Sequence, residues 1–92
     1  MDLKVKYDHV TSKDEAYKAV KQAITPELLA KFQVKAELDY QPDLIKAKGK
    51  GFELEMFFTP EACEVKINLS FLLKPLKGKV LEGIDKQLKR VV

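Results

Sequence analysis

The residues of this chain that could carry out chemistry are few, and they stand alone. His9 is the only histidine and Cys63 the only cysteine, so any Ser-His-Asp or Cys-His system would have to use them. His9 lies between a predicted strand and a predicted helix without a group to orient a catalytic base, and we expect it to be structural or exposed. Cys63 falls on the predicted inner face of a strand, where cysteine behaves as a small hydrophobe. The sequence therefore predicts no catalytic residues, no metal site and no cofactor.

Lysines surround the predicted start of the last helix, at Lys74, Lys77 and Lys79. Cations at this end of a helix oppose its dipole, and helix amides beside lysines could hold an anion or an acidic surface. The alternative is a solvated basic face that keeps the protein in solution. Both interpretations stay open, and these three lysines are the predicted anion- or surface-binding residues.

Phe57 is the one aromatic residue that alternates onto the polar face of its strand. We expect it to be exposed or to form an apolar contact, particularly if Leu44 lies beside it. Around it the same face collects charges of alternating sign, which indicates a solvated sheet surface. These charges are Glu37, Lys46, Glu53, Glu55 and Lys66.

The composition is that of one small globular domain, residues 1–92. The net charge of +3 is too small to predict nucleic-acid binding. A single cysteine allows no internal disulfide, which suits a reducing compartment. The N-terminus lacks the apolar stretch of a signal peptide, and no apolar run is long enough to cross a membrane. These features predict a cytoplasmic protein without a transmembrane segment.

The middle of the chain alternates apolar and polar residues with a period of two, which predicts a four-strand antiparallel meander. A type II′ turn at Gly49-Lys50 would pair Ile45 with Leu54. The remaining predicted partners are Lys46 with Glu53, Leu38 with Ile45, Glu37 with Lys46, Met56 with Val65, Leu54 with Ile67, and Phe52 with Leu69. All apolar partners then share one face. The second strand of the sequence would begin near Val34, and an earlier strand around Leu3–Tyr7 would lie antiparallel to the last.

Helical periodicity flanks this meander on both sides. Ser12 and Glu15 fit a capping box before an amphipathic helix, which Thr25-Pro26 interrupts. After Pro75, the last helix carries an apolar stripe of Leu76, Val80, Ile84 and Leu88. The predicted fold is α+β, with a single antiparallel sheet of about five strands in the order β-α-β-β-β-β-α. A broken N-terminal helix and a C-terminal helix cover one face, as in a reduced helix-grip, START-like domain.

The run from Val65 to Leu88, VKINLSFLLKPLKGKVLEGIDKQL, resembles the signature of the polyhydroxyalkanoic acid system protein family. Members of that family end in a strand, a Phe-Leu-Leu-x-Pro-Leu-Lys-Gly-like link and a helix. His9, followed by residues 14–16, resembles the family's N-terminal histidine and Glu-Ala helix opening. The resemblance implies a small bacterial protein linked with polyhydroxyalkanoate storage granules, and it implies no established catalytic residues.

Three functions follow as hypotheses. The first is a non-enzymatic accessory or binding protein whose partner is the polyester granule surface or a granule protein. The second is a START-like module that binds a small apolar or acyl ligand between sheet and helices. The third is an enzyme, which would need His9.

Overall fold

The computed structural model describes residues 2–92, which form five strands and three α-helices. The strands are β1 (Leu3–Lys6), β2 (Glu37–Gln41), β3 (Leu44–Gly49), β4 (Phe52–Phe58) and β5 (Ala62–Leu69). The helices are α1 (Lys13–Ala23), α2 (Pro26–Ala30) and α3 (Lys77–Val91), and a 3₁₀ turn (Lys74–Leu76) precedes α3. This element order confirms the predicted α+β fold class.

The strands form one antiparallel sheet in the order β1-β5-β4-β3-β2. As predicted, β1 lies antiparallel to β5, with Leu3 opposite Val65. All three predicted β4–β5 pairs are present, namely Met56–Val65, Leu54–Ile67 and Phe52–Leu69. The period-two pattern was sufficient here because a register slip of one residue would expose every apolar side chain of these two strands.

The predicted register of β3 was wrong by two residues on both of its sides. Ile45 pairs with Met56 and Tyr40, whereas the sequence pattern had paired it with Leu54 and Leu38. A shift of two residues keeps every side chain on its face, so the apolar pattern alone could not reveal it.

The turns explain this shift. The β3–β4 loop is Lys50-Gly51, and the residue with positive φ is Gly51 at 72°, not Gly49 in a type II′ turn. Positive φ at the second loop position is what a type II turn requires. Gly49 lies in β3, where a Cβ would overlap the Lys35 carbonyl oxygen.

Strand β2 begins at Glu37 rather than at the predicted Val34. A turn over residues 31–33 follows α2 and delays the strand: Gln33 has a φ of 66°, and the Val34 amide donates to the Leu29 carbonyl at 3.3 Å. A left-handed residue followed by such a hydrogen bond is a common way for a chain to leave a helix. Val34 is nevertheless buried, so it joins the core from outside the sheet.

Two hydroxyl caps divide the N-terminal helical region as predicted. Ser12 Oγ accepts from the Glu15 amide at 3.1 Å at the start of α1. Thr25 Oγ1 accepts from the Leu28 amide at 3.2 Å, with Pro26 at the first position of α2. Proline suits that position because its missing N–H would have no intrahelical partner.

The core lies between one sheet face and the helices α1 and α3. The predicted stripe is confirmed at Val80, Ile84 and Leu88, which are fully buried, whereas its first member, Leu76, lies in the 3₁₀ turn and is partly buried. The buried stripe residues pack with α1 and with the inner residues of the sheet, whose buried members include Val5, Ile45, Ala47, Leu54, Met56, Val65 and Ile67. Sheet and helices thus form two layers around one apolar interior. The helix-grip, START-like assignment remains a prediction.

Candidate surface-binding site

The link between β5 and α3 presents two large apolar side chains to solvent. Phe71 is 86% exposed and Leu72 is 85% exposed. Leu73, the third apolar residue in the run, is partly buried against the core. Two adjacent side chains of this size at such exposure form a small apolar patch on the surface. We call Phe71 and Leu72 the apolar tip.

Backbone hydrogen bonds hold the tip in place. The amides of Leu73 and Lys74 both donate to the Ser70 carbonyl at 3.0 Å, and the Leu76 amide donates to the Leu73 carbonyl at 2.9 Å. The tip is therefore presented by consecutive hydrogen-bonded turns that lead directly into α3. A preorganised apolar group loses less entropy on binding than a group in a disordered loop.

The β3–β4 hairpin supports the same turn from the side. The Ser70 amide donates to the Gly51 carbonyl at 2.8 Å. A Cβ at Gly51 would lie 2.6 Å from Ser70 Oγ, so glycine allows both the positive φ and this close approach. The contact places Lys50 at the end of the sheet that carries the apolar tip.

Of the three lysines predicted from the sequence, Lys77 is already engaged. Its Nζ lies 3.1 Å from Asp2 Oδ1, while Asp2 Oδ2 accepts from the Ile67 amide at 2.9 Å. The hydrogen bond from Ile67, followed by the Lys77 ammonium, holds the pKa of Asp2 below its ordinary value. Through Asp2, Lys77 therefore connects the start of α3 to Ile67 in β5.

Lys74 and Lys79 are exposed, and within residues 2–92 neither forms an ion pair. Lys74 is two residues from Leu72 and follows the apolar tip directly through the turn. The first amide of α3, that of Lys77, donates to the Lys74 carbonyl. The 3₁₀ turn thus satisfies the first amide of α3, and the exposed lysine side chains are donors available to an anion.

Phe57 marks a second, separate apolar spot. It is 42% exposed and lies opposite Leu44 on the outer sheet face, the arrangement that would make it a contact residue. Charged pairs such as Lys46–Glu55 surround it. It is five residues from Phe52 along β4, about 17 Å at the usual rise per residue. Phe57 and the apolar tip therefore lie near opposite ends of the sheet.

His9 and Cys63 show no catalytic arrangement. His9 lies on the exposed link between β1 and α1, and its amide donates to the Val92 backbone oxygen at 2.7 Å. Cys63 is fully buried, and burial raises the pKa of its thiol to about 12. A thiol with that pKa stays protonated and unreactive near neutral pH. Within residues 2–92, no group of three or more His, Cys, Asp or Glu residues could hold a metal ion.

The family profile described as "Putative polyhydroxyalkanoic acid system protein (PHA_gran_rgn)" matches residues 3–92. The chain belongs to this family. No match to this chain was found among the curated proteins or among the solved structures. The match confirms the family inferred from the Val65–Leu88 signature, and it spans both the apolar tip and the lysines that follow it.

The description of this polyhydroxyalkanoic acid system family names a cellular system and no reaction. In the part of the chain that the structure describes, no helix combines the length and apolarity needed to span a membrane.

The apolar tip is the part of the site that sequence reasoning missed. The sequence does contain a signal for it, namely three consecutive apolar residues, Phe71 to Leu73, directly before Lys74-Pro75. In a turn that leaves a sheet edge, three successive apolar side chains cannot all face one core. The period-two pattern was informative only as far as Leu69, where β5 ends.

Proposed function

We propose that this protein is a non-enzymatic accessory protein that binds the surface of polyhydroxyalkanoate storage granules in the cytoplasm. The observation that carries the proposal is the exposure of Phe71 and Leu72 on a fixed turn followed by Lys74. Family membership supplies the polyester system as the context.

On an apolar solid surface, the side chains of the tip can be buried away from water. Full burial of a Phe or Leu side chain stabilises by about 1.5–3 kcal/mol. Lys74 and Lys79 add attraction to any acidic groups on that surface, while Lys50 contributes from the neighbouring hairpin. Lys77 remains in its pair with Asp2 and contributes mainly to the folded structure.

Co-sedimentation with washed polyhydroxybutyrate particles tests the proposal. The Phe71→Gln/Leu72→Gln variant is expected to bind at least tenfold more weakly, because both apolar contacts are removed. Phe57→Gln is the matched control, since it removes an exposed aromatic residue from the other end of the sheet. Equal binding by the tip variant and the parent protein would contradict the proposal.

The lysines make a separate contribution that salt can reveal. Lys74→Gln/Lys79→Gln is expected to weaken binding modestly at low salt and to make it less sensitive to added salt, because exposed charges are screened within about 8 Å at physiological ionic strength. Unchanged salt sensitivity would make these lysines solubility residues only. His9→Ala is expected to bind like the parent, whereas loss of any measured turnover in that variant would favour an enzyme.

A further inference from the structure

Helices α2 and α3 border an open groove of about 430 Å³ on the helical side of the molecule. Leu28 and Phe32 line it from α2 and the residues that follow, and Gly83 lines it from α3. Both apolar side chains are only partly buried, so they provide a floor that is apolar and accessible. The volume lies within the range of roughly 300–1,000 Å³ that is common for small-molecule sites.

Gly83 sets the shape of this floor. A Cβ at position 83 would overlap the ring atoms of Phe32, so only glycine lets the ring lie against the α3 backbone. This close packing costs helix propensity, which a glycine inside a helix lowers. The ring consequently forms a fixed wall beside α3.

The rim of the groove is basic. Lys31, Lys79 and Lys86 line it, and Glu82 is the acidic residue among its lining residues. All four are exposed, which leaves net positive charge around an apolar floor. Such a combination suits a ligand with an acyl chain and one negative head group. The floor offers one leucine and one aromatic ring, fewer anchors than an amphipathic peptide helix uses in a groove.

The geometry points to a binding site for a medium-chain carboxylate in the groove between α2 and α3. The acyl chain lies along Leu28, Phe32 and the Gly83 backbone, and the carboxylate meets the ammonium groups of Lys31 and Lys86. This site lies on the helical side rather than in the sheet–helix interior, which is packed with fully buried side chains. It is separate from the apolar tip and shares only Lys79 with the proposed granule contact, so it does not depend on Phe71 and Leu72.

An amide-resolved NMR titration with decanoate, kept below its critical micelle concentration, tests the site. We expect saturable shifts centred on the amides of Leu28, Phe32 and Gly83. The variant Lys31→Glu/Lys86→Glu is expected to bind roughly tenfold more weakly, as two exposed ion pairs together are worth about that factor. Decanol, which has the chain without the charge, is expected to bind more weakly than decanoate.

Lys6→Glu/Lys18→Glu is the matched control, because it makes the same charge change at two exposed lysines outside the groove. It is expected to bind decanoate almost as the parent does. Equal affinity in both charge variants would overturn the site, as would tighter binding of decanol. Shifts confined to Phe71 and Leu72 would also overturn it and would leave the proposed surface contact intact. Lys31→Glu/Lys86→Glu is expected to keep its binding to polyhydroxybutyrate particles. Failure of the groove site can therefore be told apart from failure of the granule contact.

Discussion

Tyr7 fastens the β4–β5 loop to the end of β1 through its hydroxyl group. That oxygen lies 2.7 Å from the Thr59 carbonyl and 2.9 Å from the Ala62 carbonyl, both of which are acceptors. Burial, aided by the nearby Cys63 and Asp43, raises the pKa of Tyr7 to about 12. The folded protein therefore keeps this proton at pH values where an unfolded chain, with an ordinary tyrosine pKa of about 10, loses it.

The free energy of unfolding is expected to fall as pH rises from about 10 to 12, because the unfolded state releases the Tyr7 proton first. Tyr7→Phe should cost about 1–3 kcal/mol at pH 8 through its lost hydrogen bonds. As the pH rises further, the free energy of unfolding of Tyr7→Phe should fall less than that of the parent protein. Cys63, whose pKa is also raised, is present in both proteins, so urea unfolding of the pair isolates the tyrosine. If the free energy of unfolding fell equally steeply with pH above about 10 in Tyr7→Phe and in the parent protein, this role of Tyr7 would be contradicted.

Among the elements, α3 depends most on its packing. It carries Gly78 and Gly83, has no side-chain N-cap, and begins with Lys77 and Lys79, which oppose the helix dipole. Its buried stripe supplies the compensating stability, since a helix this short is marginal in water without tertiary contacts. The two glycines differ in surroundings: Gly83 adjoins Phe32, whereas Gly78 has no atom near its missing Cβ.

The two glycines of α3 should therefore respond oppositely to alanine. Gly83→Ala is expected to destabilise the fold by about 1–3 kcal/mol, because the Phe32 ring must move. Gly78→Ala is expected to stabilise it by about 0.5–1 kcal/mol, because alanine favours the helix and meets open space. Thermal unfolding of the two variants beside the parent measures both signs. A stabilising Gly83→Ala would contradict the close packing of Phe32 on α3.

The sequence predicted the elements better than it predicted their ends. Period-two and helical patterns identified every strand, the helix break at Thr25-Pro26 and the α3 stripe, because each depends on local burial. The turn at Lys50-Gly51 and the left-handed turn residue Gln33 after α2 depend on backbone angles and on close contacts such as that of Lys35 with Gly49. No alternation of side chains encodes those contacts. The β3 register and the start of β2 were wrong for that reason.

In the candidate site too, features that depend on the local sequence could be predicted, whereas contacts between distant residues could not. The types and spacing of Lys74, Lys77 and Lys79 predicted an anion- or surface-binding site, which stays a prediction. The exposure of Phe57 was predicted from alternation and is confirmed. The Asp2 partner of Lys77 could not be found in this way, because the two residues are far apart in the sequence and meet only through the β1–β5 pairing.

Across the whole molecule, the charged outer sheet face and the apolar tip have different surroundings. Lys46 and Glu55 are typical of the sheet face, where neighbours of opposite sign suit contact with water. Phe71 and Leu72 lie at one end of the sheet, beside the hairpin that carries Lys50. An end-on approach to a polyester surface would bury the tip and leave the sheet face hydrated.

The fluorescence of a single introduced tryptophan tests this end-on contact most directly, because the chain contains none. Phe71→Trp is expected to emit at shorter wavelength when polyhydroxybutyrate particles are added, as the indole leaves water for an apolar surface. Phe57→Trp, at the opposite end of the sheet, is expected to keep its emission unchanged while still sedimenting with the particles. A shift in Phe57→Trp alone, or binding without any shift in Phe71→Trp, would contradict the assignment of Phe71 and Leu72 as the surface contact.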